Sequence, residues 1–471
     1  MRLKPLEVLS RDEIERIDYL SRKLLAEKGI LIPSDEAKKI LKEKNIKFDG
    51  FIAKFNEKSI DYALKYVPKK IKIFNRDLSD SIIVGEGNCF ASGHNAIYML
   101  DKNTNSRVPA KKNEVGKFAL ITDYLEEFKI VGIEAYPQDV KPRSSILHAM
   151  EAVLGNTNKP VYFSPETYEE TLSLLKIMRL FSDDFKNYPT GICQLSPHSP
   201  FAWDKTTINA FILLAKNNFP VVVLPAPFSF VSAPITIAGE ILETNIELLG
   251  SLVIAQLVNP GTSFIYGNAK SAADMATGEY LNSTPECNLF RIASAQLAQY
   301  YGIPSHSIGP DSDSNLLDVQ NGFEKMSSLI AEASSGTNII INAGMFATGM
   351  TVSFEQLVID AEMIRFVTRL ISGVDCCEEK LAYDSLLSVE FGKDFLTDSL
   401  TLKYLRSGEH VKPMISNRKN YDHWKTEGKP DIVRNATAFV DNIIQNHKPK
   451  TLDKIISKEV GNIISAFEDQ L

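Results

Sequence analysis

AIYMLD (96–101), IVGIEAY (130–136), PVYFSP (160–165), ICQLSP (192–197), PVVVLPA (220–226), SFIYGN (263–268), PSHSIG (304–309) and NIIINAGM (338–345) share one pattern. Each is a short β-branched or aromatic run closed by small residues or proline. Each is followed by a stretch with helical spacing of apolar residues, such as SSILHAMEAVLG, TYEETLSLLKIMRLF, TINAFILLAKN or FEQLVIDAEMIRFVTRLIS. Several runs are too apolar for a sheet edge and too short for a helix, the pattern of parallel strands buried on both faces. Eight β-then-α units in succession predict an α/β chain folded as a closed (β/α)8 TIM barrel. Chemistry in that fold belongs at the C-terminal strand ends.

The barrel is expected over residues 96–372, between a helical N-terminal layer plus hairpin (1–95) and a helical C-terminal extension (373–471) packed on the barrel or on a second subunit. In the N-terminal layer, RDEIERIDYLSRKLLAEKG and SDEAKKILKEKN read as helices, the second capped by Ser34 or Asp35. The segment SIIVGEGNCFASGHNAIYMLD alternates β runs around two turn signals, GEGN and SGHN, and predicts a hairpin that closes or lips one end of the barrel.

The chain of 471 residues is 44% hydrophobic, enough for a barrel core with material to spare. Its 52 Lys plus Arg against 59 Asp plus Glu give a net charge of −7 without a basic block, a poor surface for nucleic acid or anionic membrane. No apolar run reaches the roughly 20 residues of a spanning helix, and the N-terminus has no signal-type apolar core, so a cytoplasmic protein is expected. The five cysteines, Cys89, Cys193, Cys287, Cys376 and Cys377, are odd in number and scattered, which suits a reducing compartment.

Aromatic residues crowd the strand ends: Tyr98, Tyr136, Phe163, Phe201 with Trp203, Phe228 with Phe230, Tyr266 and Phe346. Any one of these rings alone reads as packing against a helix. As a set they suggest a cage for a quaternary ammonium, a cation without N–H groups that ring quadrupoles hold where hydrogen bonds cannot. Trp203, Phe228 and Tyr266 are the first candidates, with Tyr98, Tyr136, Phe163 and Phe346 behind them. Gln138, Gln194, His198, Asn268, His306, Asp311, Asp313 and Asn342 lie at the same ends and could orient the polar end of a substrate, or simply cap loops. Residues 311–314 (DSDS) suit a helix N-terminus, and their acidity disfavours the phosphate that barrels often bind nearby. HExxH, zinc-spaced His and Cys, GxSxG, a P-loop and a strand-end Schiff-base lysine are absent, so no metal is expected on this chain.

QLSPHSPF (194–201), VVLPAPFSF (222–230), the Ser312-Asp313-Ser314, Asp318, Gln320, Gly322, Glu324 pattern, the GTNIIINAGM…SFEQLVIDAEM block (336–363) and WKTEGKPDIVRNA (424–436) together resemble the trimethylamine methyltransferase family over nearly the whole chain. The resemblance implies a TIM barrel that moves a methyl group from an N-methylated amine to the Co(I) centre of a separate corrinoid protein. That cobalamin would come from the partner, with no cofactor bound by this chain. Family members acting on trimethylamine carry pyrrolysine in the barrel, whereas this chain has only the twenty standard residues. The non-pyrrolysine branch is associated with betaines such as glycine betaine, proline betaine, carnitine and γ-butyrobetaine. The chemistry agrees: Co(I) displacing methyl from a quaternary ammonium expels a neutral amine, while an uncharged tertiary amine would have to expel an amide anion. No residue need then act as a general base, and no catalytic residue is singled out.

The expected protein is a quaternary-amine:corrinoid methyltransferase that docks a cognate corrinoid protein over the C-terminal face and assembles as a homo-oligomer. Two other readings stand beside it. One is a barrel that binds betaine or corrinoid protein without catalysis. The other is a zinc-type corrinoid:thiol methyltransferase, for which the ligand spacing is missing.

Overall fold

The computed structural model describes residues 4–269 and 272–471. Eight parallel strands close into a barrel: β1 (Cys89–Ser92), β2 (Phe128–Gly132), β3 (Val161–Phe163), β4 (Gly191–Leu195), β5 (Val221–Val223), β6 (Phe264–Asn268), β7 (Ser305–Ile308) and β8 (Ile339–Ala343). Seven of them fall on the runs read from the sequence. The first does not: AIYMLD supplies Tyr98–Leu100 to a four-stranded sheet with Arg107–Pro109, Met345–Phe346 and Thr351–Val352. Because Met345–Phe346 follows directly on β8, that sheet sits at the mouth of the barrel. The strand that closes the ring is the less apolar CFAS, so the barrel begins at residue 89 and not at 96. Small side chains suit that place: Gly93 follows β1, and the Gly132 Cα lies so close to the Gly93 carbonyl oxygen that a Cβ on Gly132 would meet it at 2.0 Å.

The hairpin also lies earlier than expected, pairing Ile71–Phe74 with Ser81–Val84. GEGN is the link from it to β1, with Gly85 and Gly87 in the left-handed region (φ 107° and 67°). Ile71, Ile73 and Val84 rise from this hairpin into the barrel and meet the inward residues Cys89, Ile130, Ile192, Val222, Ile265 and Ile339. The bottom of the barrel is thus plugged with hydrocarbon, and open chemistry is confined to the other end.

The N-terminal layer is helical as expected: Arg11–Glu27 starts from a Ser10/Glu13 capping box, and Asp35–Glu43 is capped by Ser34, whose hydroxyl accepts from the Ala37 N–H at 3.1 Å. This layer rests on Ile237–Val258, a 22-residue helix apolar enough to cross a membrane by length and composition, yet 89% buried in its apolar window. That helix corrects the expectation that no such run exists. It is a core helix between the N-terminal layer and the barrel. At the other end of the chain, Ile432–Asn446 packs on Phe354–Ile371, and Lys454–Glu468 packs on Tyr168–Arg179.

Candidate functional site

Side-chain alternation along each strand decides what enters the barrel. On β3 and β4, paired in register, Tyr162 and Ile192 face inward while Phe163 and Cys193 face the helices. On β6 and β7, Gly267 pairs with His306 and both face inward, whereas Tyr266 faces out. Above the apolar floor the interior therefore turns polar and aromatic at once: Tyr162, Gln194 and His306, joined by His94 just beyond β1 and Asn342 near the end of β8.

The Tyr162 hydroxyl hydrogen-bonds Gln194 Oε1 and lies 3.0 Å from His306 Nε2. Donating to the amide oxygen, the hydroxyl accepts from the imidazole, which sets the Nε2–H tautomer of His306. His306 Nδ1 then has no partner among the described residues. The Tyr162 and His306 rings are stacked with centroids 5.5 Å apart, and His94 meets Tyr162 edge-on at 5.2 Å. Tyr162 and His306 are fully buried, while Gln194, Asn342 and His94 keep 5%, 5% and 8% exposure toward the mouth. Burial pushes the His94 imidazole down to about 4 and that of His306 to about 3, helped in the second case by the nearby His94. Both histidines are neutral at physiological pH, and burial likewise keeps the Tyr162 phenol protonated. His94 Nδ1 is likewise without a partner among the described residues, so the result is an uncharged well of π faces, amides and two bare imidazole nitrogens.

Ion pairs behind the wall hold this well in place. Asn342 adopts φ 87° at a register shift between β8 and β1, and its Nδ2 donates to Asp311 Oδ1 at 3.1 Å. Asp311 in turn receives the fully buried Arg291 at 2.7 Å, and Arg291 lies 3.4 Å from Glu332, whose carboxyl burial drives well above the usual range. A second buried pair, Lys325–Asp360 at 2.9 Å, fixes the next turn: Asp360 accepts from the Gly344 N–H at 2.7 Å, and Lys325 donates to the Pro310 carbonyl. Among the described residues no three His, Cys, Asp or Glu side chains converge into a metal donor set.

Of the polar candidates from the sequence, Gln194, His306 and Asn342 come together in the well, and Asn268 braces it by donating to the His306 carbonyl at 3.1 Å. Asp313 is elsewhere: its two oxygens accept the N–H groups of Asn282 and Ser283, tying the β6 and β7 loops together. His198 is exposed on a turn outside the barrel, because residues 198–203 are pinned to the N-terminal layer through Leu31.

The aromatic candidates need more correction. Trp203 is stacked on Phe211 of a barrel helix with centroids 5.1 Å apart and 2% exposure. Tyr266 donates its hydroxyl outward to Asn245 of the core helix, and Phe163 packs on Phe219. All three point away from the barrel axis and cannot form a cage. Tyr136 sits in a cleft between the β2 and β3 loops with its hydroxyl on the Ser164 carbonyl, and Tyr98 lies in the small mouth sheet beneath Arg107. Phe346 is buried with Leu100 and Ala347. Phe228 alone among the first candidates stays at the rim, in a cluster with Phe230 and Tyr280. Sequence reading missed Tyr162, which stacks on His306, and His94, which meets Tyr162 edge-on.

A plugged (β/α)8 barrel with a buried polar well at its C-terminal end defines an enzyme of the TIM-barrel class. Residues 1–470 match the trimethylamine methyltransferase (MTTB) family, and the chain belongs to that family of methyltransferases. It is 28% identical to a trimethylamine methyltransferase of Methanosarcina barkeri, over 98% of this chain and 94% of that one. It is also 28% identical to a glycine betaine methyltransferase of Desulfitobacterium hafniense, over 97% of this chain and 96% of that one. The crystal structure of the Methanosarcina barkeri monomethylamine methyltransferase shares the fold, with a TM-score of 0.55 and 13% identity over 99% of this chain and 88% of that one.

Proposed function

We propose that this methyltransferase moves a methyl group from a quaternary amine of the betaine class to the Co(I) corrinoid of a separate cytoplasmic protein docked over the barrel mouth. The carrying observation is the charge state of the well. Tyr162, His94 and His306 present neutral rings, and neither imidazole is protonated at the pH where the enzyme works. An imidazolium would repel an ammonium, while a neutral ring face attracts one. With both imidazoles neutral, the site offers no imidazolium to protonate a departing amide, which suits a substrate whose leaving group is already a neutral amine. The standard residues throughout the chain support the same reading, and similarity to a glycine betaine methyltransferase agrees with it.

The protein's contribution in this reading is placement of one N-methyl group toward the mouth, in line with cobalt. Because positive charge on nitrogen falls in the transition state, the well must not bind the cation too tightly, and uncharged rings meet that requirement. The test follows the conversion of Co(I) to methyl-Co(III) by absorbance with a panel of betaines, trimethylamine and dimethylglycine. Turnover of at least one betaine and none of the tertiary amines is expected. Dimethylglycine reacting as fast as the best betaine would overturn the proposal.

A further inference from the structure

After the last barrel helix, Phe354–Ile371, the chain leaves the globule and not one residue from 368 to 414 is buried. This is not a polar tail. Nine large apolar side chains between Leu381 and Leu405 are exposed, among them Leu386 at 60%, Leu387 at 72%, Leu396 at 74% and Phe391 with no cover at all. Four of them, Tyr383, Leu386, Leu387 and Leu402, ride on two short helices, Tyr383–Ser388 and Ser399–Tyr404, neither of which buries a residue, and the other five lie on the turns beside and between them. Single apolar residues on a surface are ordinary, but a contiguous set of this size marks an interaction surface.

We infer that residues 374–411 form an arm that pairs with the same arm of a second copy of this chain. Three observations select that occupant. First, the arm lies at the bottom of the barrel: its return, from Leu405 to Lys412, lines a cleft of about 740 Å³ with Phe90 of β1 and Lys129 of β2, near the start of those strands. A partner that must reach the well at the mouth has no use for this end. Second, the arm carries eight Asp or Glu against four Lys or Arg, which repels an anionic bilayer, and two of its three lysines are engaged internally: Lys380 pairs with Asp375 at 3.2 Å and with Glu409 at 3.0 Å, and Lys403 pairs with Glu379. Third, side chains of this size expose roughly 100 Å² of apolar surface each when uncovered. Nine such side chains per arm, on average about two-thirds exposed, would let two arms covering one another bury roughly 1,200 Å², at the lower end of the range of a stable interface. A two-fold pairing at the bottom also leaves both mouths facing outward, each open to its own methyl acceptor.

The test compares the full-length chain with a Leu387→Glu/Phe391→Glu variant by sedimentation equilibrium, with thermal unfolding and amide hydrogen exchange alongside. The wild type is expected at a mass of at least two chains and the variant at half that mass, with the unfolding midpoint and betaine turnover unchanged. Amides of Tyr383–Ser388 and Ser399–Tyr404 should exchange about tenfold or more faster in the variant, because the short helices lose their cover. A wild type that sediments as one chain overturns the inference, as does a variant that keeps the wild-type mass. A variant that keeps its mass but no longer delivers methyl to the corrinoid protein would assign the arm to that partner instead.

Discussion

The phenol of Tyr162 and the imidazole of His306 meet at 3.0 Å with their rings 7° from parallel, and they come from β3 and β7, which stand opposite each other in the ring of eight strands. A contact between opposite walls spans the barrel interior. Below it lies hydrocarbon and above it the mouth, so this pair is the floor on which a substrate would rest.

Removing the hydroxyl with Tyr162→Phe keeps the ring but strands Gln194 Oε1 and the His306 Nε2–H without their partner. A buried polar group left unsatisfied costs about 1–3 kcal/mol. Denaturant unfolding should report a loss of that size. Betaine turnover should fall at the same time, since the ring of His306 is no longer held in its tautomer and orientation. Full stability in the variant would show that water replaces the hydroxyl.

The two histidines give the acid limb of stability its sign. In the unfolded chain each titrates near 6.5, but burial holds His94 at about 4 and His306 at about 3 in the folded state. Between pH 6.5 and 4 the unfolded state binds more protons, so stability falls as pH falls, by about 1.4 kcal/mol per pH unit for each histidine. Glu247 works the other way: burial raises it to about 7, so its contribution is lost as pH rises from about 4.5 through 7. His306→Gln should flatten the acid slope by about one histidine's share, measured as unfolding free energy against pH. An unchanged slope would mean that water reaches His306 in the folded protein. Turnover of betaine should show no histidine-type limb between pH 5.5 and 8.

Trp203, Tyr266 and Phe228 separate core from rim. Trp203→Ala and Tyr266→Ala remove buried rings outside the barrel and should cost about 3–5 kcal/mol of stability, while the molecules that remain folded bind betaine normally. Phe228→Ala should leave the unfolding midpoint nearly unchanged and weaken betaine binding, by about tenfold if its ring contributes 1.4 kcal/mol to the cation. Calorimetric titration with betaine distinguishes the two behaviours.

Much of the fold was legible because buried parallel strands leave an unmistakable apolar cadence, and seven strands were placed from it. The first was misplaced because CFAS is small and only weakly apolar while its neighbour AIYMLD is strongly so, and the second run serves a sheet at the mouth. The site was harder to read for a reason of parity. In PVYFSP, Tyr162 and Phe163 are adjacent, and a strand sends neighbours to opposite faces. Choosing Phe163 over Tyr162 exchanged an outside residue for an inside one, and Tyr266 beside Gly267 in SFIYGN was the same error. The signal that fixes the parity is the polar residue: His306 and Gln194 gain little on the helix-facing side, so Gly267, in register with His306, and Tyr162, in register with Ile192 two residues before Gln194, face inward too. His94 lies beyond the strand that was misplaced and was lost with it. The ion pairs behind the wall gave no sequence pattern, since Arg291, Asp311 and Glu332 meet only through the fold.

Lys325 and Asp360, both fully buried and 2.9 Å apart, test how far that support reaches into the site. Asp360 holds the Gly344 N–H, two residues beyond Asn342, and Lys325 holds the carbonyl of Pro310, one residue before Asp311. Both ends of the Asn342–Asp311 contact are therefore tethered to one ion pair. Lys325→Met leaves an uncompensated carboxylate in the interior and should cost about 3–5 kcal/mol. The double variant Lys325→Met/Asp360→Leu removes both charges and should recover much of that stability, because a hydrocarbon pair of similar volume escapes the desolvation penalty. It does not restore the tether on Gly344. Turnover should therefore stay depressed in the double variant even where unfolding experiments show stability regained. If activity returned together with stability, the pair would matter only for folding, and the positioning of Asn342 would rest on Arg291 and Asp311 alone.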